Sequence, residues 1–516
     1  MPVAGNFVQN LTQGDVLQRM NRSSRFHLLP LFQKACHVFH RISSFSFLLC
    51  ASIVLLISSL SHATSQPNII YIMADDLGYG ELGCFGQKQI RTPHIDSIAS
   101  NGIKLTNYYT SAPVCAPARC SLMTGRHGGH ALVRDNFEVK TPEKPFGGQY
   151  PLPADLVTIA EICKAKGYAT GAFGKWGLGG QGTTGDPLNQ GFDRFFGYNC
   201  QRHAHNYYPR FLVDDHKELP LEGNDRTATG EQYAPQLIAD EMLKFIRQHQ
   251  EEPFFVYYPT VIPHLALQVP QEYVDSYSFE ETPYNGRAYL PHARPKAAYA
   301  GMITFMDDQV GRMLALLDEL QLTENTLIIF TSDNGPTHLK PQVDVDFFNS
   351  AGGLRGLKGR MYEGGIRVPF VAQWPGKIPA GTESDYACVS YDAMATIAEV
   401  IDQPIQTQHD GISYLPTLLG KPDKQQQHKA LIWDFAGYGG QMAIRQGDWK
   451  LMKVNQRRKN PGKWELYNLK DDPAESTNLA TKHPEKVNEL SELLFSERTD
   501  PGIEKFRFGQ YSQTAN

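Results

Sequence analysis

The chain has 516 residues, 41% of them hydrophobic and 20% charged, which is enough apolar material for one large core and a smaller one. Acidic residues outnumber basic ones by 54 to 49, for a formal net charge of −5, and no long basic block occurs. That balance argues against a nucleic-acid partner and requires any attraction for an anion to be local. No Cys-x-x-Cys pair occurs among the eight cysteines, so neither a zinc ribbon nor a dithiol redox site is expected.

Residues 1–63 differ in kind from the rest. Arg19, Arg22, Arg25, Lys34 and Arg41 precede an almost uncharged run, Ile42 to Leu60, that closes on the small-x-Ala pattern Ser61-His62-Ala63. This predicts an export signal, with Met20 offering a second start; the alternative is a membrane anchor, for which the run is about long enough, but its many Ser residues and cleavage-like end favour removal. It also predicts a secreted or periplasmic mature protein with no stable membrane insertion. Cys36 and Cys50 would leave with the signal.

Beyond it, short apolar runs alternate with helical stretches. Asn68 to Ala74 (NIIYIMA) reads as a buried parallel strand and ends in Asp75-Asp76, while Thr326 to Thr331 repeats the pattern and ends in Ser332, Asp333, Asn334 and Gly335. Between them fall a helix at Leu156 to Lys166, strands at Tyr168 to Phe173 and Phe254 to Tyr258, and a long amphipathic helix from Lys296 to Leu320, whose methionines are core packing. This alternation predicts an α/β fold with a large, mostly parallel sheet sandwiched by helices.

Functional groups in such sheets collect at the carboxyl ends of the strands, where both acidic doublets fall. Asp75, Asp76, Asp333 and Asn334 would bring three carboxylates and an amide oxygen together, which demands a cation. An all-oxygen donor set selects a hard divalent ion, and calcium tolerates irregular multi-carboxylate coordination better than magnesium does.

The most specific stretch is CAPARCSLMTGR, Cys115 to Arg126. Pro117 suits a first helical turn, which puts Cys115 at a helix start, where unpaired N–H groups and the peptide dipoles favour negative charge. Arg119 adds a permanent guanidinium one turn on. The combination suits sulfate or phosphate esters.

Cys-x-Pro-x-Arg followed by Met123-Thr124-Gly125-Arg126 resembles the signature of the type I sulfatases, formylglycine-dependent and arylsulfatase-like members of the alkaline phosphatase superfamily. The resemblance spans roughly residues 67 to 480. It implies that a maturation enzyme oxidises Cys115 to formylglycine, whose hydrate attacks sulfur, and that one formylglycine oxygen joins Asp75, Asp76, Asp333 and Asn334 around calcium. Asp333 would accept the proton of the attacking hydroxyl. Gly174-Lys175-Trp176 resembles the Lys-Trp motif whose Lys bridges nucleophile and sulfate. Pro263-His264 matches a His that holds sulfate and protonates the leaving group, and Leu354 to Pro369 matches a stretch in which Lys358 contacts sulfate. Arg119, Lys175 and Lys358 would balance charge in the transition state. Many members read Lys-Trp-His, the His being a base that releases sulfate, where this chain has Gly177. His205 or His203, from the imidazole-rich segment QRHAHNYYP, is expected to enter the pocket instead, with His130 as a further candidate.

The catalytic domain is expected over residues 67–420, and a C-terminal α+β subdomain over 421–516, after the exposed stretch KPDKQQQHK. There MAIRQGDWKLMK and WELYNLKDDPAESTNLA read as strands, packed on by a helix from Pro484 to Phe495. Export and the aromatics Trp176, Tyr207 and Tyr208, able to stack on a sugar face, favour a carbohydrate sulfate over a small aryl sulfate as substrate. The rival readings are a phosphomonoester or phosphodiester hydrolase of the same superfamily, which would need two metals and further His/Asp ligands, and a non-catalytic sulfated-glycan binder with Cys115 unmodified. An odd set of remaining cysteines, Cys84, Cys120, Cys163, Cys200 and Cys388, gives no disulfide framework.

Overall fold

The apolar run NIIYIMA is buried along its whole length, and its side chains alternate between two cores: Ile69, Tyr71 and Met73 face one, Ile70, Ile72 and Ala74 the other. The computed structural model describes residues 66–139 and 148–512, so the expected signal lies outside the described residues. Strand β1 (Asn68–Ala74) is central in a ten-stranded sheet. In chain order the other members are β2 (Ile103–Leu105), β3 (Ala169–Lys175), β4 (Arg194–Tyr198), β5 (Phe211–Asp214), β6 (Lys217–Pro220), β7 (Phe254–Pro259), β8 (Thr326–Ser332), β9 (Phe370–Gln373) and β10 (Thr382–Ser384).

The spatial order is β10-β2-β9-β8-β1-β7-β3-β4-β5-β6. The middle five strands, β8 to β4, are all parallel, and antiparallel pairs appear on either side of them. Helices cover both faces, as the alternating pattern predicts. The long helix Pro295–Glu319 buries Met302, Met306 and Met313 completely, each worth about 1.5–3 kcal/mol as a core side chain.

Two boundaries moved for identifiable reasons. The helix expected from Leu156 begins at Ile159, because Thr158 caps it: its side chain accepts from the Glu161 N–H at 3.3 Å, while the Glu161 carboxylate accepts from the Thr158 N–H at 2.8 Å. The strand expected to end at Phe173 continues to Lys175, which places that lysine on the last residue of β3, at the strand's carboxyl end.

A separate antiparallel sheet is formed by β11 (Leu431–Phe435), β12 (Gln441–Gln446), β13 (Trp449–Lys453) and β14 (Trp464–Asn468), with the helix Pro484–Ser496 against it. Strand β11 was not legible beforehand. One face of this sheet, through Met442 and Ile444, joins the same core as Ile69. The other, through Ala443 and Met452, packs with Tyr109, Val114 and Met361. The six described cysteines are free thiols. Among the described residues no helix is long and apolar enough to cross a membrane.

Candidate active site

The pairing register of β1 with β8 sets Ala74 opposite Ser332, so the residues that follow, Asp75-Asp76 and Asp333-Asn334, leave the sheet side by side. Asp76 turns in the left-handed region at φ 68, a costly conformation for a residue with a Cβ. Its backbone N–H donates to Asp333 Oδ1 at 3.1 Å, and Asn334 Nδ2 donates to Asp76 Oδ1 at 2.7 Å. Asn334 Oδ1, by contrast, is buried and accepts from no group.

Cations converge on the carboxylates. Lys175 Nζ lies 2.5 Å from Asp75 Oδ2, Lys358 Nζ lies 2.6 and 2.8 Å from the two Asp76 oxygens, and Arg119 Nη2 donates to Asp333 Oδ2 at 2.9 Å. A second guanidinium nitrogen, Nη1, donates to the Lys175 carbonyl. Burial alone would raise every carboxyl here, but at Asp75 the charges of Lys175, His264, Arg119 and Lys358 outweigh it and hold the group well below the usual carboxylate range. At Asp333 burial prevails and neighbouring Asp75 adds to it, pushing the carboxyl up.

Cys115 is the first residue of the helix Cys115–Thr124, as its sequence context predicts. Its Sγ lies 3.4 Å from Asp75 Oδ1 and 3.5 Å from Lys358 Nζ. Burial, then Asp333 and Asp75, push the thiol far above its ordinary range. A cysteine here stays protonated, a poor nucleophile. Together with Asp75, Asp76 and His264, Cys115 offers donor atoms that all lie within 4.8 Å of one another, so the structure adds an imidazole to the oxygen set that the sequence suggested.

His264 Nε2 is 3.8 Å from Asp76 Oδ2, and Nδ1 is fixed on the Leu265 carbonyl at 2.6 Å. His205 also reaches the site, its ring stacked on that of His264 with centroids 4.9 Å apart, whereas His203 is turned away. His203 Nε2 bonds the Phe211 carbonyl at 2.9 Å and its ring packs on Tyr198 and Phe211, so of the two alternatives it is His205, not His203, that enters the pocket. The two residues lie in a 3-10 turn, where positions two apart face different directions. His130 is paired with Asp410 at 2.9 Å and stacked on His127, in a different cluster.

Position 177 holds a surprise that no residue-type signal announced. Gly177 has φ 79, and a Cβ there would sit 2.1 Å from Gln201 Nε2. The Gln201 amide thus fills the space a side chain at 177 would enter. It is only 5% exposed, and both its Nε2 and Oε1 lack partners. The proposed sugar-stacking aromatics are likewise corrected: Trp176, Tyr207 and Tyr208 are buried, with Trp176 Nε1 donating to the Gly185 carbonyl and the Tyr207 hydroxyl to the Val261 carbonyl.

A helix-covered, mostly parallel sheet with carboxylates, cations and a helix-start cysteine gathered at its strand ends suits a hydrolase for anionic esters. The Sulfatase family profile matches residues 67–403, and that of the C-terminal region of N-sulphoglucosamine sulphohydrolase matches residues 357–499. The chain belongs to the sulfatase family and is a sulfuric ester hydrolase. It is 30% identical to the N-acetylgalactosamine-6-O-sulfatase of Bacteroides thetaiotaomicron, over 84% of this chain and 94% of that one. It is also 30% identical to human arylsulfatase A, over 86% and 90% of the two chains. The solved structure of Ps i-CgsB in complex with k-i-k-neocarrahexaose superposes with a TM-score of 0.71 at 27% identity, covering 83% of this chain and 92% of that one.

Proposed function

We propose that this protein removes sulfate from a sulfated carbohydrate, with Cys115 oxidised to formylglycine by a maturation enzyme and calcium held by Asp75, Asp76, Asp333 and Asn334. The observation that carries the metal is the buried Asn334 Oδ1, an acceptor with no donor beside three converging carboxylates. Bound there, calcium would supply the charge that neutralises the carboxylates and favours ionisation of a hydroxyl at position 115.

The protein's own groups supply the rest. Asp333, the carboxyl whose proton affinity burial and Asp75 raise, takes the proton of the attacking hydroxyl. Lys175, Lys358 and Arg119 come from three separate segments and meet the sulfuryl oxygens, a fixed set of positive charges in a dry site. With Nδ1 anchored on a carbonyl, His264 presents Nε2 to the leaving oxygen. His205, stacked on it, is the imidazole available for sulfate release. The case for a modified Cys115 is that burial and two carboxylates suppress the thiolate. The case for a sugar comes from relatives: one is named for an N-acetylgalactosamine sulfate, and a structural neighbour was solved with a neocarrahexaose. Export across a membrane, read from residues 1–63, fits extracellular glycan breakdown.

The test pairs two measurements on protein made in a host with the maturation enzyme. Mass spectrometry of the peptide carrying Cys115 is expected to show the aldehyde, and a panel of sulfated oligosaccharides is expected to release sulfate in a calcium-dependent way. A persistent thiol together with glycan binding but no release would overturn the reading in favour of a binder.

A further inference from the structure

Tyr438 lies in the turn between β11 and β12, so it comes from the C-terminal sheet rather than the catalytic one. At 43% exposure it is the most open large hydrophobic side chain among the described residues. Its backbone sits in the left-handed region at φ 49, between Gly437 and Gly439, a conformation that a bulky side chain adopts only against a cost. Such an outlier invites a functional reading.

The ring packs on the segment that carries Lys358. It is seated on Gly359, where a Cβ would come 2.7 Å from Tyr438 Cε1. Gly359 is the neighbour of Lys358, and is itself pinned by its N–H to the Pro113 carbonyl at 2.8 Å and by its carbonyl to Gln441 Nε2 at 2.7 Å. His338 stands perpendicular to the ring at 5.6 Å and Phe435 backs it at 5.8 Å. The charges of Lys358 and Asp76 bear on its hydroxyl, after the larger effect of burial. An aromatic ring braced by two others, open on the remaining side and one residue from a sulfate-binding lysine, is a surface for the apolar face of a sugar.

We propose that Tyr438 is a stacking platform for a pyranose ring of the substrate, and so a specificity-determining residue that the C-terminal sheet contributes to the catalytic pocket. This rests on the carbohydrate reading above. It replaces the aromatics favoured from sequence, which are buried.

Tyr438→Asn and Tyr438→Phe test it, Asn because that residue tolerates the left-handed backbone. Against the best-cleaved oligosaccharide of the panel, Tyr438→Asn is expected to raise KM about fivefold or more with kcat within about twofold, the size of one lost aromatic contact. Tyr438→Phe keeps the ring and is expected to stay within about twofold of wild type in KM. The ratio of kcat/KM for the oligosaccharide over that for 4-nitrophenyl sulfate should fall in the Asn variant, and the melting temperature should hold or rise. An unchanged ratio in Tyr438→Asn overturns the platform, as does a Phe variant as impaired as Asn, or a KM change accompanied by a lower melting temperature in both. If wild type itself releases sulfate from 4-nitrophenyl sulfate but from no sugar, the carbohydrate reading fails and the platform falls with it.

Discussion

Two of the buried charge clusters among the described residues behave differently. Around Cys115, three carboxylates meet three cations and an amide oxygen that accepts from nothing. In the second cluster, Lys450 on β13 lies 2.9 Å from Glu363 and 2.8 Å from Glu475, while Tyr109 donates to Glu363 at 2.6 Å and the Glu363 N–H to Glu475 at 2.6 Å. The first cluster keeps an acceptor open at the ends of the central strands. The second lies where the C-terminal sheet meets the ten-stranded one, and each of its carboxylates faces the Lys450 ammonium, although Glu475 Oε1, 2.8 Å from Lys450 Nζ, is aligned for no hydrogen bond. Equal burial therefore marks two purposes: a neutral amide acceptor with no donor at a set of carboxylates points to a ligand, whereas carboxylates that share one buried ammonium suit a joint between sheets.

The largest effect that would sharpen this contrast is at Cys115, the proposed nucleophile. Cys115→Ala is expected to lower kcat/KM for sulfate release by about 10³-fold or more while the melting temperature stays near that of wild type. A variant with appreciable turnover would show that the first cluster is structural too. At the joint, Lys450→Met strands two buried glutamates and is expected to cost about 3–5 kcal/mol by urea unfolding, with kcat of the folded enzyme unchanged. Lost activity without lost stability would erase the distinction.

The smallest effect concerns pH. Burial, with Glu363 adding and Lys450 opposing, pushes Glu475 up to about 7 from an ordinary 4.5. Folding therefore favours the protonated form. That contribution is full below the unfolded value and lost as pH rises through the folded one. Glu475→Gln stays neutral throughout, so its melting temperature relative to wild type should climb between about pH 5 and about pH 8. A difference that does not vary with pH would show Glu475 to be charged across the range.

Much of the site was legible because it is carried by short motifs at strand ends. The NIIYIMA strand has the limits its apolarity indicated, and Asp75, Asp76, Cys115, Arg119, Lys175, His264, Asp333, Asn334 and Lys358 all lie in one cluster. His203 was misjudged because an imidazole in a turn has no periodicity to say which way it faces. Trp176, Tyr207 and Tyr208 were misjudged because an aromatic residue serves a core as readily as a sugar. Gln201 was missed because a buried amide becomes informative only once its missing partners can be counted.

By itself the sequence determined the parallel α/β architecture, the acidic strand ends and the helix-start cysteine, since each follows from local alternation, punctuation or residue chemistry within a few positions. Only the tertiary structure decided that Gln201 occupies the space beside Gly177, that His205 rather than His203 joins His264, and that Tyr438 from a distant sheet rests one residue from Lys358. Those facts depend on contacts between segments far apart in the chain, where packing sets direction and distance and residue type does not.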